Sequence, residues 1–311
     1  MALTVSFGNG GNAAASTLVD AEALTGGRAI DETKTASTTD SSSGETIAPG
    51  STSVGAIAVP GEGGGSGTGG SVGYEYDPTD GSFNFDVAGK WNSVKNASAT
   101  LVGDTHGEDV TFSDFVHVDV DFSSATSGSS VTIENVKRTN VTTGAYDDTV
   151  NITLSSNTSD WQNLANVKTG AGVDNIKIGA GSVVDGAKFT DGRFTTVTVD
   201  AGAGNDTIDL SGLSLKSSTI TGGTGNDTMT GNLNSDFYVY GKGNLGNDTI
   251  TNFEISGANR DHLSFTDGNT IKGILDSGVD DDGHSYTIAS LKNGGTITFL
   301  GIEASKADLL G

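Results

Sequence analysis

The residues of this chain best suited to chemistry are aspartates that end short glycine-rich segments. Residues 222–230 read Gly-Gly-Thr-Gly-Asn-Asp-Thr-Met-Thr. They match the nonapeptide G-G-x-G-x-D-x-U-x, where U is a large apolar residue, and this pattern is typical of calcium-binding parallel β-helices. Calcium takes roughly six to eight oxygen ligands. One loop with a single carboxylate, here Asp227, supplies too few, so we expect ions to lie between stacked loops.

Related segments lie on both sides of this match. Residues 201–209 read Ala-Gly-Ala-Gly-Asn-Asp-Thr-Ile-Asp, residues 246–250 read Gly-Asn-Asp-Thr-Ile, and residues 169–177 are a weaker copy. A glycine-rich turn that binds no metal is the alternative for any one of these loops. Three Gly-Asn-Asp-Thr sequences in one chain favour the metal interpretation.

The spacing of the aspartates supports stacking. Asp206 and Asp227 are 21 residues apart (227 − 206), and Asp227 and Asp248 are again 21 apart (248 − 227). Successive coils of a solenoid need such equal intervals to place the same loop above itself. Asp174 and Asp206 are 32 apart (206 − 174), which predicts an insertion around residues 187–194.

Each position of the nonapeptide has a physical role. Glycines permit positive φ and leave room for an ion, so carbonyl oxygens can point inward beside the aspartate. The apolar residue two places later starts a strand and faces the core. We expect one ion between the Asp206 and Asp227 loops and another between the Asp227 and Asp248 loops. The predicted metal-site residues are Gly170, Gly172, Asp174, Gly202, Gly204, Asp206, Gly222, Gly223, Gly225, Asp227, Gly231, Asp236, Gly246 and Asp248.

A second series of loops is expected on the opposite side of the solenoid. Residues 231–239 follow the full match in tandem, with Asp236 in the aspartate position and Tyr238 in the apolar position. Residues 178–186 follow residues 169–177 in the same way, but Val183 replaces the aspartate. We expect that half-turn to bind calcium weakly or not at all.

In these motifs the chain resembles the RTX (repeats-in-toxin) proteins of Gram-negative bacteria. Residues 235–265 and 294–302 are also similar to the exit and the end of an RTX block. The resemblance implies a right-handed parallel β-roll, Ca²⁺ as the cofactor, and export by type I secretion with an uncleaved signal near the C-terminus. It also implies a secreted, cell-surface location, where the chain folds on meeting calcium.

The composition of the chain limits which partners and sites it can have. Acidic residues number 39 and basic residues 16, so the net charge is −23, and self-repulsion opposes compaction until cations bind. This charge argues against nucleic acid as a partner. The chain has no cysteine, which excludes disulfides and thiolate sites. It has no apolar run long enough for a transmembrane segment, and its first residues lack the pattern of a cleaved signal peptide.

The elements that must position the loops are short strands, and the predicted fold class is all-β. Residues 1–73 form an N-terminal segment with a strand at 3–7, a short helix at 13–24 and a flexible low-complexity tract at 31–73. Residues 74–168 are β-rich, with strands at 82–87, 110–112, 116–122, 130–133 and 149–154. Residues 169–263 form the calcium β-roll, and residues 264–311 form a capping β segment that carries the secretion signal and a helical end at 305–310.

The middle region is open to two interpretations, an irregular solenoid or a separate β-sandwich. The solenoid is favoured because residues 146–150, Tyr-Asp-Asp-Thr-Val, resemble the Asn-Asp-Thr-Ile loops. Within this region His117, Asp119 and Asp121 share one face of a strand, as a surface cation site or as a solvated face. We favour the solvated face. For the acidic residues 280–284, we likewise favour a solvated loop over a peripheral calcium site.

These observations predict a secreted structural protein that self-assembles into a surface layer, filament or matrix. No zinc-protease motif H-E-x-x-H is present, and residues 69–73 match a nucleophile elbow without its strand and helix. We therefore expect no enzyme activity. An adhesin that binds cell-surface polysaccharide is the alternative, with Trp91 or Trp161 as its platform. A polysaccharide-acting enzyme would need a cluster of Asp, His, Arg or Tyr side chains on one face of the solenoid. Arg138, Arg193 and Arg260 are scattered along the sequence, so no such cluster is evident.

Overall fold

The computed structural model describes the backbone of the strands between residues 2 and 101, and the side chains of Ser82, Asn84 and Phe85. Beyond these it describes residues 109–155, 164–180, 196–213, 216–241, 243 and 245–311 in full. The predicted insertion at 187–194 and the predictions for Val183, Trp91, Trp161 and Arg193 lie outside the described residues.

The described chain is all-β apart from one short C-terminal helix. The strands are β1 Ala2–Asn9, β2 Asn12–Asp20, β3 Ala29–Ala36, β4 Ser43–Thr46, β5 Ser53–Pro60, β6 Thr68–Asp77, β7 Ser82–Val87, β8 Asn96–Leu101, β9 Asp109–Ser113, β10 His117–Asp121, β11 Ser130–Val136, β12 Arg138–Thr142, β13 Thr149–Leu154, β14 Leu164–Ala171, β15 Asn175–Ala180, β16 Thr196–Ala203, β17 Thr207–Asp209, β18 Ser217–Thr224, β19 Thr228–Thr230, β20 Asp236–Tyr240, β21 Asn247–Thr251, β22 His262–Phe265, β23 Ile271–Val279, β24 Ser285–Leu291 and β25 Thr296–Leu300. Helix α1 spans Lys306–Leu310.

The chain divides into two compact units, residues 1–145 with 149–155, and residues 146–148 with 156–311. In the first unit the strand orders are β4-β3-β2-β1-β8-β10-β12 and β5-β6-β7-β9-β11-β13. The early pairs, such as β1 with β2 and β5 with β6, are antiparallel. From β8 with β10 and β7 with β9 onward, the pairs are parallel. Parallel pairing therefore begins within this unit, upstream of the nonapeptide motifs.

The second unit contains the orders β14-β16-β18-β20-β22 and β15-β17-β19-β21-β25-β24-β23. Successive strands from β14 to β21 alternate between these two sheets, and the pairs within each sheet are parallel. Equivalent motif residues are in register, because Gly202 pairs with both Gly170 and Gly223. The hairpin of β23 and β24 joins β25 in antiparallel fashion. Strand pairing thus changes from parallel to antiparallel in the C-terminal segment.

The core consists of the inward residues of short alternating strands. Strand β16 shows the pattern, with Val197 and Val199 buried between more exposed threonines. The apolar residues predicted to start the strands after each loop are at most 1% exposed, which confirms the prediction; they are Ile176, Ile208, Met229 and Ile250. In the first unit Phe112 stacks on Phe85 and meets Phe115 edge to face.

The two faces of β10 follow the predicted alternation. Val118 and Val120 are buried, while His117, Asp119 and Asp121 face outward. His117 Nε2 lies 2.9 Å from Asp119 Oδ1, and the Asn140 amide donates to the same oxygen at 2.6 Å. Partial burial raises the pKa of Asp119, but the hydrogen bonds from His117 and Asn140 outweigh it and lower the pKa. Protein donors therefore satisfy the Asp119 carboxylate on this face.

Two expectations for the N-terminal segment are wrong. Residues 13–20 of the helix predicted at 13–24 belong instead to strand β2, which pairs antiparallel with both β1 and β3; residues 21–24 lie outside the described residues. The tract at 31–73 contains β4, β5 and parts of β3 and β6, where a flexible linker was expected. Strand pairing supplies these small residues with backbone hydrogen bonds on neighbouring strands, and this tertiary context outweighs local propensity.

The predicted C-terminal helix is confirmed as α1. Ser305 caps it, with its side chain accepting from the Asp308 amide, while Asp308 Oδ2 accepts from the Ser305 amide at 2.8 Å. This reciprocal pair is a capping box, which satisfies two amides at the start of the helix. Among the described residues, no helix is long and apolar enough to cross a membrane.

Candidate metal centre

The predicted aspartates are brought together in the second unit. Asp174, Asp206 and Asp227 lie in loops that lead from one sheet to the other, and Asp248 lies at the start of β21. Each is at most 2% exposed. Asp148 precedes β13 and joins the same series, also with 1% exposure. We call these five residues the Asp column. Burial of so many like charges is costly unless each carboxylate finds compensating partners.

In Asp174, Asp206, Asp227 and Asp248, one carboxylate oxygen accepts a hydrogen bond from the preceding loop. The Asp206 amide donates to Asp227 Oδ1 at 3.0 Å, and the Asp227 amide donates to Asp248 Oδ1 at 3.0 Å. The Asp174 amide donates to Asp206 Oδ1 and the Asp148 amide to Asp174 Oδ1, each at 2.8 Å. The carboxylates therefore fix the register of the loops.

The other oxygen of the central carboxylates has no such partner. Oδ2 of Asp174, Asp206 and Asp227 is buried and accepts no hydrogen bond from the residues that the structure describes. Burial, together with the neighbouring Asp174 and Asp227 charges, raises the pKa of Asp206 to about 7. Burial likewise raises the pKa of Asp227, and that of Asp248 to about 7. A bound cation would supply the missing partner and favour the ionised form.

Glycines let the loops approach each other at backbone distance. A Cβ on Gly225 would overlap the Gly204 carbonyl oxygen, and one on Gly204 would overlap the Gly172 carbonyl. Seven of the predicted glycines adopt positive φ, as expected: Gly170, Gly172, Gly202, Gly204, Gly223, Gly225 and Gly246. The loops thus bring carbonyl oxygens close to the next loop, which is the oxygen-rich setting that calcium requires.

The first glycine of the full nonapeptide has a different role. Gly222 does not adopt positive φ, but a Cβ there would overlap the carboxylate of Asp227. Ala201 is the counterpart of Gly222, since its neighbours Asp200 and Gly202 pair with Thr221 and Gly223. The two loops therefore leave different amounts of room beside their carboxylates.

A second ladder runs beside the Asp column in the opposite sense. The Asn226 amide donates to Asn205 Oδ1 at 2.8 Å, and the Asn247 amide donates to Asn226 Oδ1 at 2.7 Å. Here each side chain accepts from the following loop, whereas each aspartate accepts from the preceding one. The Val173 amide similarly donates to Asp147 Oδ1 at 2.7 Å. Val173 itself has no acceptor, so its side chain cannot extend the ladder to Asn205.

Asp236 lies apart from the Asp column. Its carboxylate accepts the Asn232 amide at 2.8 Å, and both the Asn232 side chain and the Ser218 hydroxyl also donate to it. The Asp236 amide donates to Asp261 Oδ1 at 2.8 Å, and the Glu254 amide donates to Asp261 Oδ2 at 2.9 Å. We call Ser218, Asn232, Asp236 and Asp261 the Asp236 cluster. Its carboxylates are held by protein donors, unlike Oδ2 in the Asp column.

The packing around Asp236 is also tight. A Cβ on Gly231 would overlap both Asp236 Oδ2 and the buried Tyr238 hydroxyl. Burial raises the pKa of Asp236 to about 7, with the Asp261 charge acting in the same direction. Gly231 is therefore required for space, and its proximity to Asp236 agrees with the tandem alignment of residues 231–239.

Two aspartates of these arrangements, Asp148 and Asp261, were not among the predicted site residues. The resemblance of residues 146–150 to the nonapeptide loops was a usable signal for Asp148, although only one glycine, Gly144, precedes it at motif spacing. Asp261 follows Asp236 by 25 residues (261 − 236), and one glycine, Gly257, precedes it at motif spacing. Its position becomes apparent only from the parallel pairing of β20 with β22.

The Asp column could hold cations, and the ligand atoms available there determine which cations would bind. Within the described residues, no group of three or more His, Cys, Asp or Glu side chains is arranged to hold a metal ion. An ion between adjacent loops would therefore combine carboxylate oxygens with backbone carbonyls. Such an all-oxygen set suits a hard cation such as Ca²⁺.

Comparison of the chain with protein-family models, with curated proteins and with solved structures gives no match.

Proposed function

We propose that this chain is a secreted structural protein whose second unit is a calcium-stabilised, right-handed parallel β-roll. The observation that carries the proposal is the buried Oδ2 of Asp174, Asp206 and Asp227, which lacks a hydrogen-bond partner among the described residues. Alternation of parallel strands between two sheets supports a coiled path. The right hand follows from the general preference of crossovers between parallel strands.

Calcium ions would lie between successive loops, shared by the carboxylate oxygens and the carbonyls near the glycines. The Asp206–Asp227 and Asp227–Asp248 intervals are the strongest candidates, because their loops carry the full Gly-Asn-Asp-Thr sequence. The Asp174–Asp206 interval is a third. The role of such ions is structural, since they would offset the repulsion of buried carboxylates in a chain of net charge −23.

Extracellular calcium explains why such a chain would fold after export. The resemblance to RTX proteins supports type I secretion, and the acidic composition supports an unfolded chain wherever calcium is scarce. Self-assembly into a surface layer, filament or matrix is the use that best fits a stable acidic β-protein of this composition. The proposed role requires no catalytic residue.

Calcium titration followed by circular dichroism tests this proposal. The metal-free protein at neutral pH should show reduced β content and regain it as calcium is added, with magnesium as the control ion. Calorimetry should give at least two bound calcium ions per chain. Identical spectra with calcium and with excess chelator would contradict the proposed role of the metal.

A second candidate is binding to a surface polysaccharide. Phe237 is 40% exposed and stacks on His262 with ring centroids 5.0 Å apart. Thr219 pairs with Phe237 on the next strand and lies in the same outward row. Exposed aromatic rings beside hydroxyl groups suit sugar rings. Phe237→Ala should abolish retention of the protein on an immobilised surface polysaccharide while leaving the calcium response intact. Unchanged retention would exclude this surface as the polysaccharide-binding site.

A further inference from the structure

The ends of the sheets differ in how they are protected. Strands β4, β5, β22 and β23 each pair with one neighbour only among the described strands. An edge strand presents unpaired amide and carbonyl groups, which can accept a strand from another chain. Proteins discourage such pairing with short edges, charged residues, bulges or a covering element.

Three of these edges carry such protection. Strands β4 and β22 are four residues long, β4 contains Glu45, and α1 packs against β22. Strand β23 contains Lys272 and Asp276, and its pairing with β24 has two register shifts. The Lys306 ammonium of α1 also donates to the Lys272 carbonyl at 3.3 Å.

Strand β5 lacks most of these features within the part of the chain that the structure describes. Ser53–Pro60 reads Ser-Val-Gly-Ala-Ile-Ala-Val-Pro and contains no charged residue. Its antiparallel register with β6 is regular from Ser53 to Ala58, and the only shift lies between Ala58 and Pro60. Six consecutive residues therefore form a straight, uncharged edge, and the bulge and the proline protect only its end.

The charge of the chain favours this edge as a contact between copies. Two chains of net charge −23 repel each other, so association is least opposed where no side chain is charged. An uncharged strand is also complementary to itself. Antiparallel pairing of one strand with its own copy is an isologous contact with twofold symmetry, which closes at two chains.

We propose that two copies of this chain associate through antiparallel pairing of β5, with residues 53–58 of each copy extending the sheet of the other. The inference rests on the self-association in the proposed function and identifies its first contact as a dimer. A contact limited to one strand pair falls in the size range of weak interfaces. Dimerisation is therefore concentration-dependent.

Sedimentation equilibrium in saturating calcium tests the contact. Ala56→Lys and Ile57→Lys place a charge on opposite faces of β5, because neighbouring residues of a strand alternate in direction. Leu275→Lys is the matched control, since Leu275 is 64% exposed on the protected edge β23. The wild type and L275K should reach at least twice the monomer mass as concentration rises. Whichever β5 variant retains the wild-type circular dichroism should stay a monomer.

Hydrogen exchange keeps the test decisive if neither β5 variant folds. In the wild type, amides of residues 53–58 should exchange more slowly at high protein concentration than at low concentration, while amides of residues 275–279 should not change. A wild type that is monomeric at all concentrations, or a folded β5 variant that still dimerises, would overturn the proposal. The calcium response of the same samples separately tests the proposed function.

Discussion

The Asp column and the Asp236 cluster put buried aspartates to different uses within one unit of the same chain. In the column, Asp206 and Asp227 each use one oxygen to bind the preceding loop and keep the other buried without a hydrogen bond. In the cluster, the Asp236 carboxylate accepts from Asn232 and Ser218. The carboxylates are similarly buried in both places, but the number of hydrogen-bond donors around them differs.

This difference separates a candidate ligand from a structural hydrogen-bond acceptor. A carboxylate with a vacant buried oxygen gains from a cation, whereas one already surrounded by donors would have to exchange them for the ion. The geometry therefore favours a structural role for Asp236 over the ligand role predicted from its sequence position. The decisive residues are Asn232 and Ser218, which the nonapeptide pattern does not specify.

The largest expected effect is that of Asp227→Asn on calcium binding. Asp227 lies between the loops of Asp206 and Asp248, so losing its charge should weaken two ions together, by at least about tenfold each, because ligand charge sets calcium affinity. Calorimetric titration measures the stoichiometry and the affinities. Asp236→Asn is the matched control, because it removes the same charge from an equally buried site.

We expect Asp236→Asn to keep the wild-type stoichiometry while lowering the free energy of unfolding by about 1–3 kcal/mol through a disrupted hydrogen-bond network. Loss of a calcium ion in this variant would restore Asp236 as a ligand. Unchanged calcium binding by Asp227→Asn would remove the functional contrast between the column and the cluster.

Gly225→Ala should break the stacking on which the column depends. Gly225 has φ 129° and faces the Gly204 carbonyl oxygen, so we expect a loss of about 2–4 kcal/mol in the free energy of unfolding from steric overlap and strain. Urea unfolding in saturating calcium gives the value. Gly179→Ala is the control, because nothing lies within 4 Å of a Cβ at that position; equal losses in both variants would argue against close stacking.

The pH dependence should differ with and without calcium. Burial raises the pKa of Asp206, Asp248, Asp236 and Asp261 to about 7 in the folded chain. A raised pKa means that protonation favours the folded state. Without metal, this stabilisation should be complete below the ordinary pKa of 3.8 and be lost as pH rises through about 7.

Calcium should remove the contribution of the column and leave that of the cluster. Urea midpoints between about pH 4.5 and pH 7.5, with and without calcium, provide the measurement. The slope that remains in calcium should shrink further in Asp236→Asn. A metal-free protein that becomes more stable as pH rises would contradict the direction of these pKa shifts.

The smallest expected effect is a gain from completing the asparagine ladder. Val173 is 57% exposed and occupies the position where the later loops carry Asn205 and Asn226. Val173→Asn would offer an oxygen to the Asn205 amide, adding about 0.5–1.5 kcal/mol to the free energy of unfolding. Thermal unfolding compares it with Val173→Ala, which removes the apolar side chain without adding an acceptor and should show no gain.

Much of the second unit was predictable because its motif repeats. The positive φ of Gly204 and Gly225 and the burial of Ile208 and Met229 follow from the nonapeptide pattern itself. In the first unit, the predicted strands at 82–87 and 149–154 coincide with β7 and β13. In both cases local sequence and tertiary pairing agree, which is the condition for successful prediction.

Prediction failed where distant pairing decides the outcome. Residues 13–15 are three alanines, which favour a helix in isolation, yet β2 is extended because β1 and β3 flank it. Asp261 likewise has only one motif-spaced glycine, Gly257, and acquires its role from the Asp236 amide. Neither fact can be read from spacing, because both depend on which strands become neighbours.

The equal register of the loops gives the molecule an adjustable length. The contact between the Asp206 and Asp227 amide–carboxylate pair is repeated between Asp227 and Asp248 at the same 3.0 Å, and Gly223 rests on Gly202 as Gly202 rests on Gly170. A tandem copy of residues 207–227 would pack against loops of the same kind on both sides. Duplication within the gene could therefore lengthen the protein by whole 21-residue repeats (227 − 206) without requiring a new kind of contact.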